Sequence, residues 1–267
     1  MKKNNIFIEG VQGTGKTCLL SELRKELPDY RAYMEGDLSP AELAWCSYLT
    51  QEQYAKVLEK YPSLAEEIKG YTLREGRKRI IAYTRILTDI PGFHKDLEQY
   101  EIYNGRVDYR KFCQVIWKRY EKMPEDGNLF ECSFFQNAIE TMLLYYQMEE
   151  EEIMDFYIRA FEILKKKNFR LLYLDTSNLE ETILQVKKER VDTTGREVWF
   201  ELVLEYLENS PLGKARGLQG MEGLLSHLKR RRNLESRIIK EILGERACVL
   251  QSKAYDIKAV SKWCRSV

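Results

Sequence analysis

The chain has 267 residues, with 43 Lys and Arg against 42 Asp and Glu, a formal net charge of +1 at pH 7. So even a balance leaves no global basic field to recruit nucleic acid or a membrane surface. The hydrophobic share of 44% is enough for a sizeable core, and 32% charged residues suit a soluble protein with much helical surface.

The first element is a short apolar strand, Ile6-Phe7-Ile8-Glu9-Gly10, followed by a glycine-rich turn and a helical run from Cys18 to about Leu27, before Pro28. The turn matches G-x-x-x-x-G-K-[ST] with Gly10, Gly15, Lys16 and Thr17, and has a further glycine at Gly13. Glycines allow the tight turn, and loop and helix N–H groups then converge on one spot that favours a polyphosphate. Gly10, Gln12, Gly13, Thr14, Gly15, Lys16, Thr17 and Cys18 are the expected nucleotide-binding residues. Lys16 is expected to reach the β- and γ-phosphates, and Thr17 to ligate Mg²⁺.

Tyr30–Met34 reads as a second strand ending in Glu35-Gly36-Asp37. Ligands of an open parallel sheet gather at the carboxyl ends of its strands, so Glu35 is a candidate general base, with Asp37 left to the turn. A turn or helix-capping acid is the alternative for Glu35, because Ser39-Pro40-Ala41-Glu42 resembles a helix start. From about 38 to 126 the periodicity predicts helices at Ala41–Leu49, Gln51–Lys60, Ser63–Lys69, Arg74–Thr88 and Tyr109–Lys122, with no strand. That is a helical insertion on the substrate side of a single domain. Trp45, Tyr48 and Tyr54 read as core, and Arg74, Arg77, Lys78, Arg79 and Arg85 as a solvated run with one arginine free to face a phosphate.

Asn128-Leu129-Phe130, bounded by Glu125-Asp126-Gly127, reads as the strand beside the first one and ends at Glu131. A carboxylate there suits the Mg²⁺ shell, directly or through water. Ser133, Gln136 and Asn137 follow as base- or sugar-contacting residues or as caps of a long helix Ala138–Glu150. A helical run Met148–Lys167 leads to a buried strand Phe169–Leu174. Asp175 there is read as part of a cap for helix 179–189 rather than as a metal ligand. Arg190 and Arg196 flank a Gly-containing turn. They suit a lid closing on phosphates, and equally a basic helix end, with the lid region spanning about 187–223. Residues 209–223 carry four glycines and read as a flexible connection. Lys229-Arg230-Arg231-Arg232 lie on a helix to about Leu243, Ala247–Leu250 is the last strand and Asp256–Trp263 the last helix.

Six scattered cysteines without a C-x-x-C pair, and only two histidines, argue against zinc and fit a reducing compartment. Met1–Asn5 enters the first strand with no signal-like segment, so a cytoplasmic location is expected. The strand and helix order predicts an α/β protein, a parallel sheet with helices on both faces.

With these elements placed, the chain resembles the P-loop nucleoside and nucleotide kinases, the deoxynucleoside kinases and thymidylate kinases among them. The resemblance rests on the loop Gly10–Thr17, Glu35 after the second strand, Glu131-Cys132-Ser133 in the place of their Glu-Arg-Ser motif, and the arginines Arg190 and Arg196. Cys132 stands where that family has an arginine, and inherits no role. The resemblance implies a P-loop NTPase fold and transfer of the ATP γ-phosphoryl group to a nucleoside or nucleotide. It assigns Lys16, Glu35, Glu131, Arg190 and Arg196 to catalysis, and Thr17 and Glu131 to the metal. The partner expected is a small-molecule phosphoryl acceptor, with no nucleic acid or membrane, and a homodimer is left open. A nucleotide-binding switch without efficient turnover, or a kinase of a non-nucleotide metabolite or antibiotic, remains the alternative.

Overall fold

A computed structural model describes residues 3–125 and 127–266, so Asp126, read above as part of the turn before the Asn128 strand, and the residues Met1 and Lys2 ahead of the first strand lie outside it. The chain forms β1 (Asn5–Gly10), α1 (Lys16–Glu26), β2 (Arg31–Tyr33), β3 (Ser47–Thr50), α2 (Gln51–Lys60), α3 (Ala65–Gly70), β4 (Thr72–Glu75) and β5 (Lys78–Ile81). There follow α4 (Phe93–Glu98), α5 (Tyr109–Lys122), β6 (Asn128–Glu131), α6 (Gln136–Glu140), α7 (Glu150–Leu164) and β7 (Phe169–Asp175). The chain continues with α8 (Leu179–Glu189), α9 (Val198–Asn209), α10 (Pro211–Arg216), α11 (Gly220–Ile238), β8 (Ala247–Gln251) and α12 (Ile257–Arg265). Two compact units result, residues 1–32 with 124–267, and residues 33–123.

The larger unit is mixed α/β. Its five-stranded sheet has the order β2-β6-β1-β7-β8, which puts β1 in the centre. β1 runs parallel to β6, with Ile8 opposite Glu131, and parallel to β7, with Gly10 opposite Leu174; β7 runs parallel to β8. β1 is buried on both faces, as a central parallel strand must be. Alternation then divides its side chains. Ile6 and Ile8 pack with Leu19, Leu20 and Leu23 of α1 and with Val260 and Cys264 of α12. Phe7 points the other way, its ring 5.1 Å from Phe130 and 5.6 Å from Phe134. Phe134 continues that layer to Tyr157 of α7, at 5.0 Å. Helices therefore cover both faces.

The smaller unit differs from the all-helical expectation. It contains a three-stranded antiparallel sheet, β3-β5-β4. The expected helix Arg74–Thr88 is instead the hairpin β4–β5, turning through Gly76 and Arg77, with Glu75 opposite Lys78. Gly76 has φ +58, the conformation a two-residue hairpin turn asks of its first residue. The expected helix Ala41–Leu49 is also absent, and β3 occupies its end. Buried Arg119 of α5 pairs with Glu75 of β4 at 2.6 Å. Helices α2 and α5 match their expected spans, each with a side-chain N-cap, Thr50 and Asp108. Tyr54 joins the core of this unit with Val57, Ile68, Ile81 and Phe93. Trp45 does not: it is 47% exposed, at φ +59.

Two further expectations fail in the larger unit. The long helix Ala138–Glu150 breaks, because α6 passes into a wide π turn over Thr141–Tyr145 and α7 restarts at Glu150. Residues 209–223, expected to be a flexible connection, form α10 and the start of α11. Ser210 caps α10 by accepting from the Gly213 N–H, and Pro211 takes the first helical position. Gly213 is there for close approach: a Cβ on it would lie 1.9 Å from the Leu207 carbonyl oxygen.

Candidate functional site

β1 delivers its last residue, Gly10, into a turn that only glycine tolerates. Its φ is +141, and a Cβ would lie 2.4 Å from the Leu174 carbonyl oxygen. Gly13 (φ +85) is equally constrained, since a Cβ there would meet Val186 Cγ2 at 2.2 Å. Gly15 (φ +92) needs only the left-handed backbone and sits at the N-cap of α1. It offers no side-chain cap, and the first turn of α1 has no acidic residue. The leading N–H groups, including that of Cys18, and the positive end of the helix are thus left for an anion. The Thr14 hydroxyl donates to the Val11 carbonyl at 2.8 Å, and Ser252 donates to the Thr14 carbonyl at 2.8 Å, which ties the loop to the turn after β8. The Cys18 thiol itself is exposed.

Lys16 is buried, and its ammonium folds back to donate to the carbonyls of Gly10 (2.8 Å) and Val11 (3.0 Å). Next to it, the Thr17 hydroxyl donates to Glu131 Oε1 at 2.5 Å. Glu131 ends β6 at 5% exposure. Parallel pairing of β1 and β6 is what brings the two together across 114 residues of sequence. Beyond Glu131, Cys132 takes a left-handed conformation (φ +55) and its N–H donates to the Ile8 carbonyl. Asn137 donates to the Cys132 carbonyl at 3.2 Å, so it braces the turn and does not cap a helix.

Sequence reasoning missed a buried polar network behind the loop. Glu9 accepts from the N–H groups of Phe134 (2.6 Å) and Gln136 (3.3 Å), and so fixes the turn between β6 and α6. Burial, with Glu235 nearby, pushes its carboxyl up to about 8, against the pull of the Phe134 N–H and the Lys16 charge. Arg231 of α11 is 0% exposed. It donates to Glu235 (2.8 Å), Glu140 (2.6 Å), the Gln12 side chain (3.1 Å) and the Gly10 carbonyl (3.3 Å). Glu140 also takes the His227 Nε2 contact at 2.5 Å, and Glu235 accepts from the Tyr173 hydroxyl at 2.6 Å. Burial alone would raise the Glu140 carboxyl, but His227 and Arg231 override it and hold it near 2. The (i, i+4) pair Arg231 and Glu235 was the one visible signal.

The other expected site residues have local partners. Glu35 lies two residues past β2, in the smaller unit, and accepts from the Trp45 indole at 3.0 Å. Arg85 there pairs with Asp37 at 2.8 Å. Arg190 caps α8 and stacks on Trp199, 5.2 Å from the ring centre. Arg196 pairs with Glu201 through its Nε and Nη2, while Asp192 accepts from the N–H groups of Thr194 and Arg196 to shape the turn. Asp175 accepts at both its oxygens from Arg232, Nε at 2.6 Å and Nη2 at 2.8 Å, and Asn178 caps α8 by accepting from Glu181 N–H. The three arginines of the basic run at 229–232 are therefore spent on structure: Arg230 faces Glu150, Arg231 is buried and Arg232 holds Asp175.

The residues at the loop fit a nucleoside polyphosphate with Mg²⁺: a glycine cradle, one buried ammonium, uncapped helix N–H groups, and a hydroxyl beside a carboxylate. Among the described residues no group of three or more His, Cys, Asp or Glu could hold a metal. Mg²⁺ bound through one or two side chains, water and phosphate does not need one. No described helix is long and apolar enough to cross a membrane.

No protein-family model and no curated protein matches the chain. Among solved structures it is similar to a gluconokinase from Sinorhizobium meliloti 1021, at 10% identity and a TM-score of 0.33, covering 98% of this chain and 90% of that one. A likeness of that size carries nothing about substrate. The α/β class is given by the parallel strand pairs and the central glycine loop themselves.

Proposed function

We propose that the chain is an ATP-dependent small-molecule kinase that phosphorylates a nucleoside or nucleotide. The observation that supports this most is the meeting of Lys16, Thr17 and Glu131 at the uncapped start of α1. Mg·ATP, when bound, would supply the phosphoryl group, and its cation would offset charge on the phosphates. The loop N–H groups and the Lys16 ammonium neutralise charge that moves during transfer. Thr17 and Glu131 would hold the metal, Glu131 directly or through water. Glu35 orients and deprotonates an acceptor hydroxyl; with a phosphate acceptor it has no proton to take. Arg190 and Arg196 exchange Trp199 and Glu201 for phosphate oxygens when the 187–198 segment closes. Positioning and electrostatics, rather than covalent chemistry, carry the rate.

The nucleotide-switch reading draws support from those same arginines, which are already engaged with α9. A screen of nucleosides, nucleotides, sugars, sugar acids and hydroxylated antibiotics with ATP and Mg²⁺ separates the readings. Acceptor-dependent ADP release by the native chain, lost in Lys16→Ala, is the expected result. Tight Mg·ATP binding with no acceptor effect would overturn the kinase reading in favour of a switch.

A further inference from the structure

Two cations share one carbonyl in this chain. The Gly10 oxygen accepts from Lys16 Nζ at 2.8 Å and from Arg231 Nη2 at 3.3 Å. A carbonyl oxygen has two lone pairs, so both are used. The two loop carbonyls take two of the three Lys16 donors, so an ammonium that turns fully towards a phosphate loosens its bonds to them, and a buried carbonyl left without a donor is costly. Arg231 removes that cost at Gly10, because its bond does not depend on where the ammonium goes.

Arg231 is built to stay. It is 0% exposed, and its Nε and Nη1 are anchored by Glu235 and Glu140. Those anchors are themselves braced, Glu235 by the Tyr173 hydroxyl of β7 and Glu140 by His227 of α11. The fork then reaches the loop twice, at the Gly10 carbonyl and at Gln12 Oε1. Because Glu140 accepts from Arg231 as a carboxylate, His227 must present Nε2–H to it. Its Nδ1 is buried with no partner among the described residues. A guanidinium suits this task, since its donors lie in a rigid plane that a lysine cannot reproduce.

We infer that Arg231 is a positioning residue for the nucleotide site: from behind the loop it holds the Gly10 carbonyl and Gln12, so that Lys16 is free to move onto phosphate. The inference rests on the proposed nucleotide binding, and goes beyond it by assigning a residue of α11, 221 positions away in sequence, to the loop's readiness.

The test compares Mg·ADP affinity by calorimetry in the native chain, Arg231→Lys and Arg232→Lys, with melting temperatures for all three. Arg232 sits one residue on and holds Asp175, so its variant reports the general cost of disturbing α11. Arg231→Lys is expected to weaken Mg·ADP by about tenfold or more, the scale of lost hydrogen bonds to a charged group. Arg232→Lys is expected to change it by less than about threefold. Equal affinity in Arg231→Lys and the native chain overturns the inference, and so does an equal loss in both variants. The same comparison in a Lys16→Met background, read by NMR at millimolar ADP, is the readout that a merely structural role would not move. There the Arg231→Lys loss should shrink, and an undiminished loss overturns the assignment. If Lys16→Met binds no ADP, the first comparison decides alone. Should Arg231→Lys fail to fold, Gln12→Met cuts one of the two loop contacts and is expected to cost about threefold. An unchanged affinity there overturns the inference. A native chain that binds no Mg·ADP overturns the nucleotide reading itself, a result distinct from any of these.

Discussion

The Thr17 hydroxyl donates to Glu131 Oε1 across 2.5 Å, joining the first turn of α1 to the last residue of β6. In the proposed kinase these are the two groups that face the cation. Glu131→Gln keeps the shape and an acceptor but removes the charge. It is expected to raise the Mg²⁺ concentration needed for half-maximal nucleotide binding, by about tenfold, with little change in saturating affinity for the nucleotide. A Mg²⁺ titration followed by nucleotide fluorescence measures this, and an unaltered titration would remove Glu131 from the metal site.

Glu35 has a different expected signature. Glu35→Gln retains a partner for the Trp45 indole. Loss of a general base lowers transfer on the order of 10²–10⁴-fold. With a hydroxyl acceptor found by the screen, kcat should fall by that order while Mg·ATP affinity holds. Normal transfer once metal is saturating would take Glu35 out of the mechanism.

The 187–198 segment offers a third check. Arg196 pairs with Glu201, and Arg190 with Trp199, on an exposed turn. Hydrogen exchange over this segment should slow when nucleotide and acceptor are bound together. Identical protection with and without both ligands would leave these arginines as helix-end charges.

Burial also sets a pH dependence. The Glu9 carboxyl is pushed from the usual 4.5 up to about 8, and burial raises Glu42 and Glu101 to about 7. A carboxyl with a raised folded-state pKa leaves the folded chain holding more protons than the unfolded one between these values. Stability therefore falls as pH rises from about 5 to 8. Glu140 works oppositely: held near 2, it stabilises above its unfolded value, and that contribution fades as pH drops from about 4.5 towards 2. Urea midpoints at pH 5, 6, 7 and 8 should decline in the native chain and decline less in Glu9→Gln. An equal slope in both would show that Glu9 ionises freely in the fold.

The elements legible in the sequence were those with a strong local signal. The glycine loop, β6 and β7 carry apolar runs bounded by turn residues, and α5 and α8 carry both periodicity and an Asp or Asn cap. The hairpin β4–β5 was hidden by its composition, because Arg, Glu and Lys favour helices and the tertiary pairing of Arg119 with Glu75 overrides that preference. Gly213 and Gly223 read as flexibility, yet both are contact points where a Cβ would strike backbone at 1.9 and 2.9 Å. Within the candidate site, the placement of Lys16 and Thr17 at the start of α1 could be read off the motif. Arg231 could not: its partners Gln12 and Glu140 lie 219 and 91 residues away, and only the folded chain shows that it is buried.

The sheet order has a consequence for how the chain is made. β1 and α1 are translated before the neighbours of β1 in the sheet, β6 and β7, which end at Glu131 and Asp175. At about 5–20 residues per second, the ribosome leaves the central strand without its partners for several seconds or longer. Through that interval the apolar run Ile6-Phe7-Ile8 waits as an exposed edge, while residues 33–123 emerge with all three strands of their own sheet. The glycine loop is thus synthesised early and completed late, and the period before Asp175 emerges is when a nascent-chain chaperone has most to protect.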